Sequence, residues 1–109
     1  MAISARQNGK HRIVALSGRL DFHNYAATKE SLLKILNDEE TKSLVIDLGE
    51  IEHLDSSGIA LIAHVLKVIE KKQGELRLLA VNASVRKIMR LTHLEEYFRF
   101  IETEAELSA

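Results

Sequence analysis

The stretch His53-Leu54-Asp55-Ser56-Ser57-Gly58 sets a carboxylate, two hydroxyls and a glycine directly ahead of an apolar segment with helical spacing. These residue types in this position have two physical readings. Aspartate and serine are among the best helix N-caps, because their side-chain oxygens accept from N–H groups that the first helical turn leaves unpaired. A serine at a helix N-terminus is also a place where an added phosphoryl group is tolerated, since free N–H groups and the positive end of the helix dipole stabilise an anion. A second polar stretch, residues 17–24, also leads into a helical pattern and carries Asp21, His23 and Asn24. If the strands before the two stretches are neighbours in a sheet, both loops leave the same edge and Asp21 and His23 come near Ser56.

Other chemistries fit less well. A serine, a histidine and two aspartates suggest a hydrolase triad, but there is no Gly-x-Ser-x-Gly elbow and no identifiable oxyanion hole. Residues 84–87, Ser-Val-Arg-Lys, match the Ser-x-x-Lys pattern of penicillin-binding enzymes without its Ser-Asp-Asn and Lys-Thr-Gly companions. Asn82-Ala83-Ser84 fits the glycosylation sequon, which has no meaning without a secretion signal. The histidines show no paired ligand spacing such as His-x-x-x-His, so neither a metal site nor a cofactor is expected, and His64 reads as a helix-surface or boundary residue. With no cysteine, a disulfide framework, a thiolate zinc site and a cysteine nucleophile are excluded. No residue is assigned a catalytic role.

The elements that must position these loops follow from composition and periodicity. A chain of 109 residues with 46% hydrophobic and 28% charged residues can bury one core, so a single domain over residues 1–109 is expected. A net charge of -1 without a basic run argues against direct nucleic-acid binding. No apolar stretch has signal-peptide or membrane-span length, which points to a cytoplasmic protein with no membrane insertion. Asn8-Gly9 between residues 3–7 and 12–17 signals a hairpin of two strands. Asn24 reads as the cap of a first helix with Tyr25, Leu32, Leu33 and Leu36 inward, ending near residues 37–40. Residues 43–48 read as a strand buried on both faces, followed by a loop over residues 49–57. Ile59, Ile62, Val65, Leu66 and Ile69 form the stripe of a second helix, closed by Lys71, Lys72 and the permissive Gly74. Residues 75–81 read as a strand; Asn82 caps a third helix with Val85, Ile88, Met89 and Leu91 inward; residues 97–101 make a last short strand. The tail from Glu102 has room for one or two helical turns. The order ββαβαβα(β) predicts an α/β fold with a mixed, mostly parallel sheet of four to five strands and three to four helices.

Four segments in this order and spacing carry a family resemblance: "LSGRLD", "VIDLGEIEHLDSSGIALI", "GELRLLAV" and "VRKIMRLTHLEEYFRFIET". Together they resemble bacterial anti-sigma-factor antagonists of the sulfate transporter and anti-sigma factor antagonist (STAS) family. The likeness runs from about Ile3 to Glu104, and Asp-Ser-Ser-Gly ahead of an apolar helix is its most specific element. The resemblance implies a regulatory binding protein without catalysis of its own. Unphosphorylated, it would bind an anti-sigma factor that is a serine kinase and so release the sigma factor; phosphorylated on Ser56 by that kinase, it would let go, and a serine phosphatase would reset it. By the same resemblance Asp21 lies in a kinase-contacting loop with His23 and Asn24, while Asp55, Ser57, Gly58 and Ile59 complete the partner-binding site. Ser57 is a competing phosphoacceptor. Family members of this fold also serve as subunits of membrane lipid-transport ATPase complexes, which stands as the alternative. The chain departs from the family pattern at Ala60, where many members have a second glycine, and in a curtailed final helix. A monomer is the default for a regulator exposing one face, with weak dimerisation through an apolar patch as the other state.

Overall fold

The opening hairpin turns one residue later than the Asn-Gly pair suggests. β1 (Ala2–Asn8) pairs antiparallel with β2 (His11–Leu20), and Asn8 lies opposite His11, so the turn is Gly9-Lys10. Gly9 has φ +59° with nothing near the place of a Cβ; glycine serves backbone conformation here, as at the first central position of a type II′ turn.

The computed structural model describes residues 1–38 and 40–107. After the hairpin come α1 (Tyr25–Leu36), β3 (Ser43–Leu54), α2 (Ser56–Lys71), β4 (Glu75–Leu79), α3 (Ala83–Leu91) and β5 (Arg99–Ile101), with single 3₁₀ turns at Glu95–Tyr97 and Glu104–Glu106. The sheet order is β1-β2-β3-β4-β5, and all neighbours except the hairpin pair run parallel. The structure is the α/β fold expected, with five strands and three α-helices.

Right-handed crossovers that all step in one direction put every helix on the same face of a sheet. The side chains show this directly. Val14, Leu16, Leu44, Ile46, Leu76 and Leu78 meet Leu32 and Leu36 of α1, Leu61, Ile62 and Val65 of α2, and Val85 and Met89 of α3 in one core. The intervening Ile13, Val45 and Leu79 form a smaller cluster on the other face, packed by Ile101 and Leu107. Arg6 of β1 is ion-paired with Glu104, and a Thr103–Glu106 capping box shapes the same turn, so the C-terminal segment is drawn over this second face. The acidic tail is therefore a single 3₁₀ turn; Ser108 and Ala109 lie outside the described residues.

Three expectations are corrected. Residues 49–54 are not loop but the second half of β3: Ser17 pairs with Glu50, Gly18 with Ile51, Arg19 with His53 and Leu20 with Leu54, beyond two irregularities in the β2–β3 register. Gly18, at φ +95°, supplies the backbone freedom for the kink, and Ile51 and Leu54 both end up buried. The exposed Glu50, Glu52 and His53 disguise this half of the strand. At the end of α2 the left-handed residue is Gln73, φ +62°, not Gly74. Gly74 N–H donates to Ile69 O and Gln73 N–H to Glu70 O, each at 2.9 Å, a Schellman closure. Gly74 is required for space instead, since a Cβ there would lie 2.6 Å from Lys42 O. Lastly, Leu91 is 69% exposed and not inward. Six residues past Val85, it has rotated off the buried stripe, and Leu94 packs on the core in its stead.

Candidate functional site

β2 and β3 are neighbours and end together at the Leu20–Leu54 pair, so the β2–α1 and β3–α2 loops do leave the same edge. Asp55 N–H donates to Leu20 O at 3.3 Å, which stitches the two strand ends. Asp55 then takes the extended conformation of an N-cap. Its Oδ1 accepts from Gly58 N–H at 3.1 Å and its Oδ2 from Phe22 N–H at 3.2 Å. One carboxylate thus closes the start of α2 and ties the preceding loop to it.

Ser56 follows as the first residue of α2 and is exposed; Ser57 is half-buried and Gly58 buried. A Cβ on Gly58 would lie 2.8 Å from Leu20 O and 2.9 Å from Leu20 Cγ, so glycine lets the helix start rest on the strand ends. Partial desolvation of the Asp55 carboxylate opposes its ionisation, but the N–H groups of Gly58, Phe22 and Ser57, with His53 nearby, outweigh this and hold its pKa below the ordinary 3.8.

A depressed folded-state pKa means that the stabilisation is complete above the unfolded-state value and is lost as pH falls through the lower folded one. Asp55→Ala is accordingly expected to lower the thermal midpoint by roughly 5 °C at pH 7. The difference from wild type should shrink as the pH is taken below 4, and amide exchange at Phe22 and Gly58 should accelerate. Equal midpoints at pH 7, read by circular dichroism, would contradict the bridging role.

The β2–α1 loop is a tight polar structure. Asp21 Oδ1 accepts from His23 N–H at 3.0 Å, an Asx turn, and Asp21 Oδ2 lies 3.7 Å from Arg19 Nε. Asn24 occupies the N-cap position of α1, but its side chain does not cap the helix as expected. Its Oδ1 accepts from Asp21 N–H at 3.0 Å and its Nδ2 donates to Arg19 O, so it braces the loop instead. The loop competes successfully for the amide because these partners lie within five residues on the N-terminal side.

Of the residues singled out from sequence, Asp21, His23, Asn24, Asp55, Ser56 and Ser57 gather at one sheet edge. Ile59 does not join this surface: it is 3% exposed and packs in the core with Ile62, Val65 and Ile69, the apolar stripe that α2 buries. Gly58 contributes backbone only. Phe22 is a residue that sequence reasoning passed over; its signal was an aromatic residue inside an otherwise polar loop. Among the described residues no group of three or more potential metal ligands is found. No helix is long and apolar enough to cross a membrane among these residues.

Comparison with known proteins matches the chain to the STAS domain over residues 2–107. An anti-sigma F factor antagonist of Paenibacillus polymyxa is 27% identical over 92 residues, covering 84% of this chain and 79% of the relative. Among solved structures, a candidate anti-sigma factor antagonist of Thermotoga maritima superposes with a TM-score of 0.88 at 22% identity, covering 95% of this chain and 89% of that one. The Bacillus cell-fate determinant SpoIIAA in its phosphorylated form superposes with a TM-score of 0.73 at 20% identity, over 96% and 95% of the two chains. With the mixed five-stranded sheet, the one-sided helices and the Asp-Ser-Ser-Gly helix start in place, the chain belongs to the STAS domain family.

Proposed function

We propose that this protein is an anti-sigma-factor antagonist whose binding to an anti-sigma serine kinase is ended by phosphorylation of Ser56. The observation that carries the reading is Ser56 itself: an exposed hydroxyl at the first position of a helix whose start is fixed to two strand ends by Asp55. The naming of its relatives as antagonists of anti-sigma F and anti-sigma-B factors supports the partner class. The kinase transfers the γ-phosphoryl group of ATP to Ser56 Oγ. The new O–P bond replaces the bond to ADP, and the hydroxyl proton leaves to a base on the kinase. A serine phosphatase reverses the change by hydrolysis. The antagonist supplies a rigid acceptor and no catalysis.

Ser57 fits the acceptor role less well, being half-buried where Ser56 is exposed. Incubation with the kinase and labelled ATP is therefore expected to label wild type and Ser57→Ala alike and to leave Ser56→Ala unlabelled. Retained label on Ser56→Ala would move the acceptor elsewhere. A transporter ATPase captured equally by wild type and Ser56→Glu would replace the switch with the lipid-transport reading.

A further inference from the structure

Phe22 is 76% exposed, more than Met1, Leu91 or Tyr97, the other exposed large apolar side chains of the described residues. Its backbone is held firmly nonetheless. The Phe22 N–H donates to Asp55 Oδ2, and the turn around it is closed by the side chains of Asp21 and Asn24. The ring itself meets His23 edge-to-face, with centroids 6.1 Å apart and planes at 74°. A phenyl ring left in water forgoes the gain of burial, and one presented by an already ordered loop has the properties of a binding hot spot: large apolar area with little left to immobilise.

We propose that Phe22 is the apolar anchor of the kinase interface, held in its binding position by the Asp55 carboxylate. This rests on the reading of Ser56 as the phosphoacceptor, and given that reading the contact follows from geometry. A kinase must bring its nucleotide phosphate to Ser56 Oγ. A standard interface covers about 800 Å² on each partner, a disc roughly 16 Å in radius. Phe22 N lies 3.2 Å from the carboxylate of the residue preceding Ser56, well inside such a footprint. The partner surface that fits is an apolar recess beside the nucleotide site, with His23 and the Arg19–Asp21 pair forming a polar rim.

The anchor and the acceptor share one support. A phosphate on Ser56 repels the Asp55 carboxylate and competes with it for the Gly58 N–H group. Phosphorylation thereby loosens the tether of Phe22 as well as adding charge.

The test titrates each purified anti-sigma serine kinase of the source organism, with ADP bound, against wild type, Phe22→Ala, Phe22→Leu and Ser56→Glu. Phe22→Ala is expected to weaken binding at least about 30-fold, Phe22→Leu to recover part of the loss, and both to keep the wild-type unfolding midpoint because the ring is exposed. Phe22→Ala binding within threefold of wild type while Ser56→Glu is weakened would overturn the anchor and leave the switch standing. Loss with Phe22→Ala but full binding by Ser56→Glu would keep the anchor and overturn the switch. Failure of every kinase to bind wild type would overturn both.

Discussion

Phosphorylated on Ser56, the protein is expected to bind its kinase about 100-fold more weakly than the unmodified form, about 2.7 kcal/mol, with an unfolding midpoint shifted by no more than about 2 °C. The two numbers differ because the phosphate meets different surroundings in the free and bound states. In the free protein it stands at the N-terminus of α2, where the dipole and unpaired N–H groups contribute about 0.3–1 kcal/mol in its favour, enough to offset much of the repulsion from Asp55 in water. In the complex the same group must be desolvated against a surface shaped for a neutral hydroxyl, and like-charge juxtaposition in an interface costs several kcal/mol. Ser56→Glu, with one charge fewer and a shorter reach, should show about a tenfold loss. Calorimetric titration of the stoichiometrically phosphorylated protein, beside its melting curve, measures both quantities. Melting of α2 on phosphorylation would show a switch by refolding and not by surface charge.

The second large effect belongs to Gly58. Gly58→Val is expected to lower the unfolding free energy by about 3 kcal/mol, and Gly58→Ala by about 1–2 kcal/mol. Alanine is favoured over glycine within a helix by about 1 kcal/mol, which works against the loss. The opposing contact is harder to relieve: the nearest atom, 2.8 Å from the added Cβ, is the Leu20 carbonyl oxygen, fixed in β2 and bonded to Asp55 N–H. Side-chain rotation cannot move it, so the start of α2 must lift off the strand ends. Valine adds branching that is disfavoured in helices and gains nothing from propensity. Urea unfolding at pH 7 gives the comparison, with Ala60→Gly two residues along at an exposed site as the control for propensity alone. A gain in stability for Gly58→Ala, opposite in sign to the loss for Ala60→Gly, would mean that the close approach to Leu20 is not what the glycine provides.

What could be read from the chain, and what could not, divides along physical lines. Helix α2 was legible because its apolar residues recur at helical spacing and its cap, Asp55, accepts from Gly58 as local rules require. The juxtaposition of the two loops was legible from topology, since adjacent parallel strands end on one side. The second half of β3 was hidden, because a register shift against β2 breaks the alternation by which strands are recognised, bringing Ile51 and Leu54 to the same face three residues apart. Asn24 misled for another reason: an asparagine before a helix has competing acceptors and donors nearby, and here Asp21 N–H and Arg19 O won over the helix amides. Gln73 is left-handed where Gly74 stood ready, and Gly74 is required by its closeness to Lys42 O, a neighbour distant in sequence that leaves no local signal. Ile59 was counted with the site by resemblance, yet it opens the apolar stripe that α2 buries and packs in the core.

The sheet order repeats the order of synthesis. Each strand of β1-β2-β3-β4-β5 pairs with the one made just before it, and none must insert between two others. A chain leaving the ribosome can thus lay each new strand and helix onto an existing edge. The contact between Arg6 and Glu104 runs the other way, joining β1 to a turn made after β5. That pairing has to wait until Glu104 has been added, which makes it a seal set after all five described strands have been made.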